Sequence, residues 1–181
     1  MAYDAQTRTV ILFGGRATTG AELSTTWSWN GMHWSRDGSA IGPRGRSGAS
    51  MAYDPATQSL VLFGGLYATD SPLSTTWSFN GSKWSPQSSP VRPPARDRAA
   101  MTYDPESGSL VLFGGDLTHS PGALATTWSW NGTWSKLSPP VSPPARYGAS
   151  MVYDTASSSA VLFGGLHRDG DALGTTWLLR G

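Results

Sequence analysis

Four short apolar runs divide the chain evenly: Val10-Ile11-Leu12-Phe13, Leu60-Val61-Leu62-Phe63, Leu110-Val111-Leu112-Phe113 and Ala160-Val161-Leu162-Phe163, each closed by a glycine pair. None alternates apolar with polar. A short, uninterrupted run of this kind suits a strand covered on both faces. About ten residues before each glycine pair stands Met-x-Tyr-Asp, opening at Met1, Met51, Met101 and Met151. After each pair comes Thr-Thr-Trp, with the indole at Trp27, Trp77, Trp128 and Trp177. A unit repeated every 50 residues or so predicts a stack of similar modules.

The second copy, from Arg46 to Pro94, gives the pattern within one module. Residues 47–53 predict a strand of small side chains, A. Asp54 to Ser59 predicts a turn, because Asp bonds the backbone ahead of it and Pro55 presets φ. Leu60–Phe63 is strand B. A loop runs from Leu66 to Leu73. Ser74–Phe79 is strand C, with Thr75, Trp77 and Phe79 on one face. Asn80-Gly81 is a two-residue hairpin signal, and Lys83-Trp84-Ser85 forms a short strand D. A proline-rich link, 90–94, leads onward.

Each module is therefore a four-stranded antiparallel meander. Strand B needs cover on both sides, and the Gly, Ala and Ser of strand A fit a crowded central axis. Sheets stacked radially meet both demands, which predicts an all-β β-propeller with four-stranded blades. A β-sandwich would ask for one polar face per strand. The blades fall at about 1–40, 46–90, 96–140 and 146–181, the last lacking strand D. The first blade has its own strand D, so the two ends do not complement each other. An open arc or partial propeller, a segment of a longer array or a shortened one, is the expected form, with compact four-bladed closure as the alternative. Open terminal blades would expose edges and apolar faces that self-association could cover.

The recurring constellation resembles kelch repeats over essentially the whole chain. It is most similar to those of bacterial proteins related to the galactose oxidase central domain, with PPAR-x-GASM-x-YD and TTW-x-W-NG wording at 143–154 and 126–132. The resemblance implies a propeller that hosts either an enzyme or a binding module, in a secreted or cell-surface bacterial setting.

Composition narrows the chemistry. The formal net charge is +1, with no basic run, so no field points to nucleic acid. Cysteine is absent, which excludes disulfides and thiolate metal sites. No apolar run approaches a membrane span of about 20 residues. Nine Trp, 22 Gly and 13 Pro favour strands and turns over helices.

The meander sends the D–A links and B–C loops to one face, and the A–B turns and C–D hairpins to the other. The turns nearly repeat. The B–C loops at 16–23, 66–73, 116–124 and 166–173 do not. They carry Arg16, Tyr67, Asp70, Asp116, His119, His167, Arg168, Asp169 and Asp171, the candidate binding residues of a rigid repeat scaffold. The bland reading is that these are tolerant surface loops. Arg46, Arg96 and Arg146 precede strand A on that face and could ring the axis to grip a carboxylate or phosphate. Alternatively, they bond a neighbouring blade's backbone or an Asp. His119 and His167 lack the short fixed spacing of metal ligands, and no metal or other cofactor is expected. Asp4, Asp54, Asp104 and Asp154 are explained by turn formation.

Enzymatic readings find few residues. The copper centre of galactose oxidase uses a Tyr–Cys cross-link, which a chain without Cys cannot form. A glycosidase needs two facing acids, but the only glutamates, Glu22 and Glu106, are predicted on opposite faces. A sialidase-like site would use an arginine cluster and a Tyr nucleophile, yet the Asp-box is absent. The expectation is a non-catalytic scaffold binding a protein, peptide or glycan through its B–C and D–A loops. The alternatives are a carbohydrate-binding or carbohydrate-active propeller, and a designed or truncated structural repeat without a ligand.

Overall fold

The computed structural model describes residues 1–38, 41–68, 71–117 and 122–179. It is all-β: four antiparallel sheets, one per repeat, in a four-bladed β-propeller arrangement. The first sheet orders β1 (Ala2–Asp4), β2 (Thr9–Phe13), β3 (Thr26–Trp29) and β4 (Trp34–Arg36). In the second, β5 (Ser50–Asp54), β6 (Ser59–Phe63), β9 (Thr76–Phe79) and β10 (Trp84–Gln87) pair in that order, while β7 (Leu66–Tyr67) and β8 (Ser71–Pro72) form a small hairpin inside the B–C loop. The third holds β11 (Ala100–Asp104), β12 (Ser109–Phe113), β13 (Thr127–Trp130) and β14 (Trp134–Leu137). The fourth has three strands among the described residues, β15 (Ser150–Asp154), β16 (Ser159–Phe163) and β17 (Thr176–Leu179), which leaves β17 at the edge.

The expected strand A is shorter than the sequence implied. Ser47 makes only an isolated bridge to Leu66, and Gly48 turns the chain at φ +63° before β5 begins at Ser50. The same break occurs at Gly148, with φ +66°, and at Arg98, with φ +51°. The hairpin β7–β8 was also not legible from loop composition.

The apolar runs behave as their pattern requires. In β6, Val61 and Phe63 face forward into a cluster with Leu110, Leu112, Trp128, Trp130 and Trp134 of the third blade. Leu60 and Leu62 face backward, joining Ile11 and Phe13 of the first. A third cluster joins Ala100 and Phe113 to Leu162. Strands β6 and β12 are therefore buried on both faces. The innermost strands β1, β5, β11 and β15 stack in sequence, but among the described residues no strand of the fourth sheet touches the first. The blades form an arc. At its two ends opposite blade faces lie open: Tyr3 is 55% exposed at one, Phe163 56% and Val152 64% at the other.

Strand D closes the first two interfaces between blades with an indole. Trp84 donates its Nε1–H to Thr26 of the preceding blade at 2.9 Å and meets Phe13 edge-on at 5.1 Å. Trp134 repeats this with Thr76, at 2.8 Å, and Phe63, at 5.0 Å. The repeated aspartates build turns. Asp54 Oδ1 accepts the Ala56 N–H at 3.0 Å, and its Oδ2 accepts the Thr57 hydroxyl at 2.8 Å.

Candidate functional site

The D–A links and B–C loops do converge. Backbone bridges join Ser47 to Leu66, Asp97 to Asp116, and Tyr147 to Leu166, so the residues beside the axis and the start of each variable loop form one surface. The glycine pairs allow this approach. A Cβ on Gly64 would collide with the Arg96 carbonyl oxygen, and one on Gly65 would lie 2.8 Å from that of Ser47.

Arg46, Arg96 and Arg146 do not ring an open channel mouth. They are buried to 1–2% exposure and tie successive blades together. Arg46 shows how. Its N–H donates to Leu23 and its carbonyl accepts from Gly15, both of the first blade. Its guanidinium donates to the Gly64 carbonyl at 2.8 Å and the Thr75 hydroxyl at 3.0 Å, both of the second. Arg96 and Arg146 do the same one and two blades on, through Gly114 and Gly164. The ligand-gripping reading of these arginines is corrected on this geometry. The backbone reading describes them, although the guanidinium bonds the blade it introduces, and no Asp among the described residues is involved. Burial lowers the pKa of Arg46 and Arg96 to about 10, so both stay charged at neutral pH and need those acceptors.

The loop residues fall into separate groups. Arg16 turns back on its own loop, donating Nε–H to the Gly20 carbonyl at 3.1 Å and lying 3.9 Å from Glu22. Tyr67 lies under the Arg44 guanidinium, 3.2 Å from its ring centre. His167 Nδ1 meets Asp169 at 3.0 Å, with Arg168 Nε 3.4 Å from the same carboxylate. Asp171 closes that loop through its carbonyl, which accepts the His167 N–H. Asp70 and His119 lie outside the described residues. Among the described residues no three His, Asp or Glu side chains gather as a metal site.

The most connected group contains two residues that sequence reasoning passed over, Asp97 and Arg98. The other repeats read Ser47-Gly48 and Tyr147-Gly148 at these positions. Arg98 takes the left-handed backbone of the glycines it replaces, a conformation that costs an L-residue about 1 kcal/mol. Its Nε–H donates to Asp97 Oδ2 at 2.8 Å, its Nη2–H to Asp116 Oδ2 at 2.7 Å, and its guanidinium lies 4.2 Å from the Tyr147 ring centre. Its backbone N–H and C=O bond Gly48 and Gly148, so it bridges the second and fourth blades at the axis. Asp97 is buried and its Oδ1 has no partner. Burial raises the Asp97 carboxyl above its ordinary value; Arg98 opposes that shift and Asp116 adds to it. The departure of Asp-Arg from the repeat's own spelling was the signal that could have found this site.

No protein-family model matches the chain, and no curated protein matches it. Among solved structures it is similar to YjhT, with a TM-score of 0.69 at 18% identity. The alignment covers 93% of this chain and 53% of that one, so the chain spans about half the length of this relative. At that identity the likeness establishes the propeller fold, and fold alone does not choose an activity.

Proposed function

We propose that this chain is a kelch-type propeller segment, of a bacterial cell-surface or secreted protein, that acts as a non-catalytic binding scaffold. Its binding surface is the face of B–C loops and D–A links, centred on Asp97, Arg98, Asp116 and Tyr147 and flanked by Tyr67 with Arg44 and by His167, Arg168 and Asp169. The observation that carries this is Arg98. A charged side chain occupies a left-handed position that sister repeats give to glycine. Left-handed non-glycine residues recur in the A–B turns, at Arg8, Gln58 and Ser158, but at Arg98 the strain sits beside a buried carboxylate, which suits recognition better than scaffolding. A guanidinium already shared between two carboxylates and an aromatic ring suits a polar partner: a protein, a peptide or a glycan. No nucleophile with an adjacent base stands among these residues, which favours binding over catalysis.

Glycan and peptide arrays, with an oxidase and hydrolase substrate panel alongside, test this reading. A selective ligand is expected, and Arg98→Gly should weaken it about tenfold or more, as truncation of a central arginine does. Unchanged capture by Arg98→Gly, or turnover of a panel substrate, would overturn it.

A second reading, self-association, rests on the arc's ends. Trp34 is 43% exposed and Phe163 56% exposed. These are the two halves of the contact that Trp84 and Phe13 make internally. The first blade of one copy stacked on the fourth of another would bury both. Light scattering should then find dimers or larger species that Phe163→Asp returns to monomer. A wild-type monomer at high concentration sinks this reading.

A further inference from the structure

Three times the chain turns from strand C to strand D on Asn-Gly, and the third turn is built differently. Asn30-Gly31, Asn80-Gly81 and Asn131-Gly132 each present an exposed asparagine at a hairpin tip. Strand register fixes the length of each tip. Trp29 pairs with Trp34, and Phe79 with Trp84, which leaves residues 30–33 and 80–83 between them. Trp130 pairs with Trp134, which leaves only residues 131–133.

The lost residue carries a hydrogen bond with it. Asn30 Oδ1 accepts the backbone N–H groups of Met32 and His33, each at 3.0 Å. Asn80 Oδ1 accepts those of Ser82 at 3.2 Å and Lys83 at 2.9 Å, and the Ser82 hydroxyl at 3.1 Å. Such turns fix the side-chain amide against its own backbone. Three residues after Asn131 stands Trp134, and its N–H is taken by the Ser89 hydroxyl at 2.9 Å. Asn131 donates its own N–H to the Thr133 carbonyl at 3.3 Å, and its side chain has no hydrogen-bond partner among the described residues.

The following glycines also differ. A Cβ on Gly132 would meet nothing within 4 Å, whereas one on Gly81 would lie 2.6 Å from the Thr7 methyl of the first blade. Gly31 is as open as Gly132, so at Asn30 the held amide alone makes the difference.

From the free amide and the open glycine we infer that Asn131 is a site of spontaneous covalent modification, deamidation through a cyclic imide. The deprotonated backbone nitrogen of Gly132 attacks Asn131 Cγ. The new C–N bond closes a succinimide, the Cγ–Nδ2 bond breaks, and Nδ2 leaves as ammonia. Water then opens the ring. Its addition at Cγ restores the original backbone and yields aspartate. Its addition at the main-chain carbonyl carbon yields isoaspartate, with the chain rerouted through the side chain. Either product carries a carboxylate where a neutral amide stood. Asn30 and Asn80 must first give up two backbone hydrogen bonds, which slows them about tenfold. The site lies three residues before Trp134, so the change falls at the foot of a strand that closes an interface between blades.

The test incubates the full chain at physiological temperature and mildly alkaline pH, and follows all three asparagines by peptide mapping with mass spectrometry. Conversion at Asn131 should run about tenfold faster than at Asn30 or Asn80. In denaturing urea the three rates should converge, because only the fold separates them. Replacing residues 131–133 by the Asn-Gly-Ser-Lys of the second hairpin should slow the third site to the rate of Asn80. Equal rates in the folded chain would overturn the assignment, as would faster conversion at Asn30 or Asn80. A rate at the third site unchanged by the exchanged hairpin would overturn it as well.

Discussion

Trp34 and Trp134 hold the same place in their repeats, and the arc makes them energetically unlike. Trp134 is 3% exposed, edge-on to Phe63 at 5.0 Å, tilted against Trp130 at 5.2 Å, and bonded to Thr76. Replacing it by alanine removes a core aromatic, which costs about 3–5 kcal/mol. It also strands a buried hydroxyl, for about 1 kcal/mol more. Trp34 is 43% exposed, and its one ring neighbour is Trp29 of its own blade, at 5.6 Å. Its loss should cost about 1 kcal/mol or less. With a urea slope of about 2 kcal/mol/M, the midpoint should fall by about 2–3 M for Trp134→Ala and by no more than about 0.5 M for Trp34→Ala. Equilibrium denaturation followed by far-UV circular dichroism measures both. Because total stability is only about 5–15 kcal/mol, Trp134→Phe serves as a milder companion, keeping the ring contact but losing the N–H, at about 1–2 kcal/mol. Equal losses for Trp34→Ala and Trp134→Ala would refute the argument, because position in the arc would then not matter.

A second pair of variants separates the Thr76 hydroxyl, which accepts the Trp134 N–H, from that of Thr127, which is buried without a partner. Thr76→Val should destabilise the protein by about 1–2 kcal/mol by orphaning the Trp134 N–H, while Thr127→Val should be neutral or stabilising; the same urea titration reads both. Asp97 gives a pH test. Its folded carboxyl holds its proton more tightly than the unfolded chain does, so the native state binds more protons across that window and stability contributed at this residue falls as pH rises through it. Asp97→Asn should therefore gain on the wild type as pH rises above the ordinary carboxylate range of about 4, a trend that thermal melts at increasing pH would show reversed or absent if Asp97 were comfortably ionised.

Much of the scaffold was legible because it rests on repetition and local chemistry. The unbroken Leu-Val-Leu-Phe runs demanded two covered faces, and β6 and β12 have them. The Asn-Gly hairpins and Asp-led turns formed as their residues dictate. The arginines were harder. A residue type suited equally to gripping a ligand and to bonding buried carbonyls leaves the choice to burial, which sequence does not display. Asp97 and Arg98 were not legible from the variable loops, because the informative variation lies within the repeated spelling ahead of strand A. The unpaired Thr127 hydroxyl needed coordinates, since it is a property of three-dimensional neighbours.

Amide hydrogen exchange of the four apolar strands, read by mass spectrometry, tests the arc most directly. In a monomeric sample β6 and β12, covered on both faces, should exchange slowest, and β2 and β16, each with one open face, measurably faster. Uniform protection across all four would mean that the first and last blades cover one another, and would contradict the open arc.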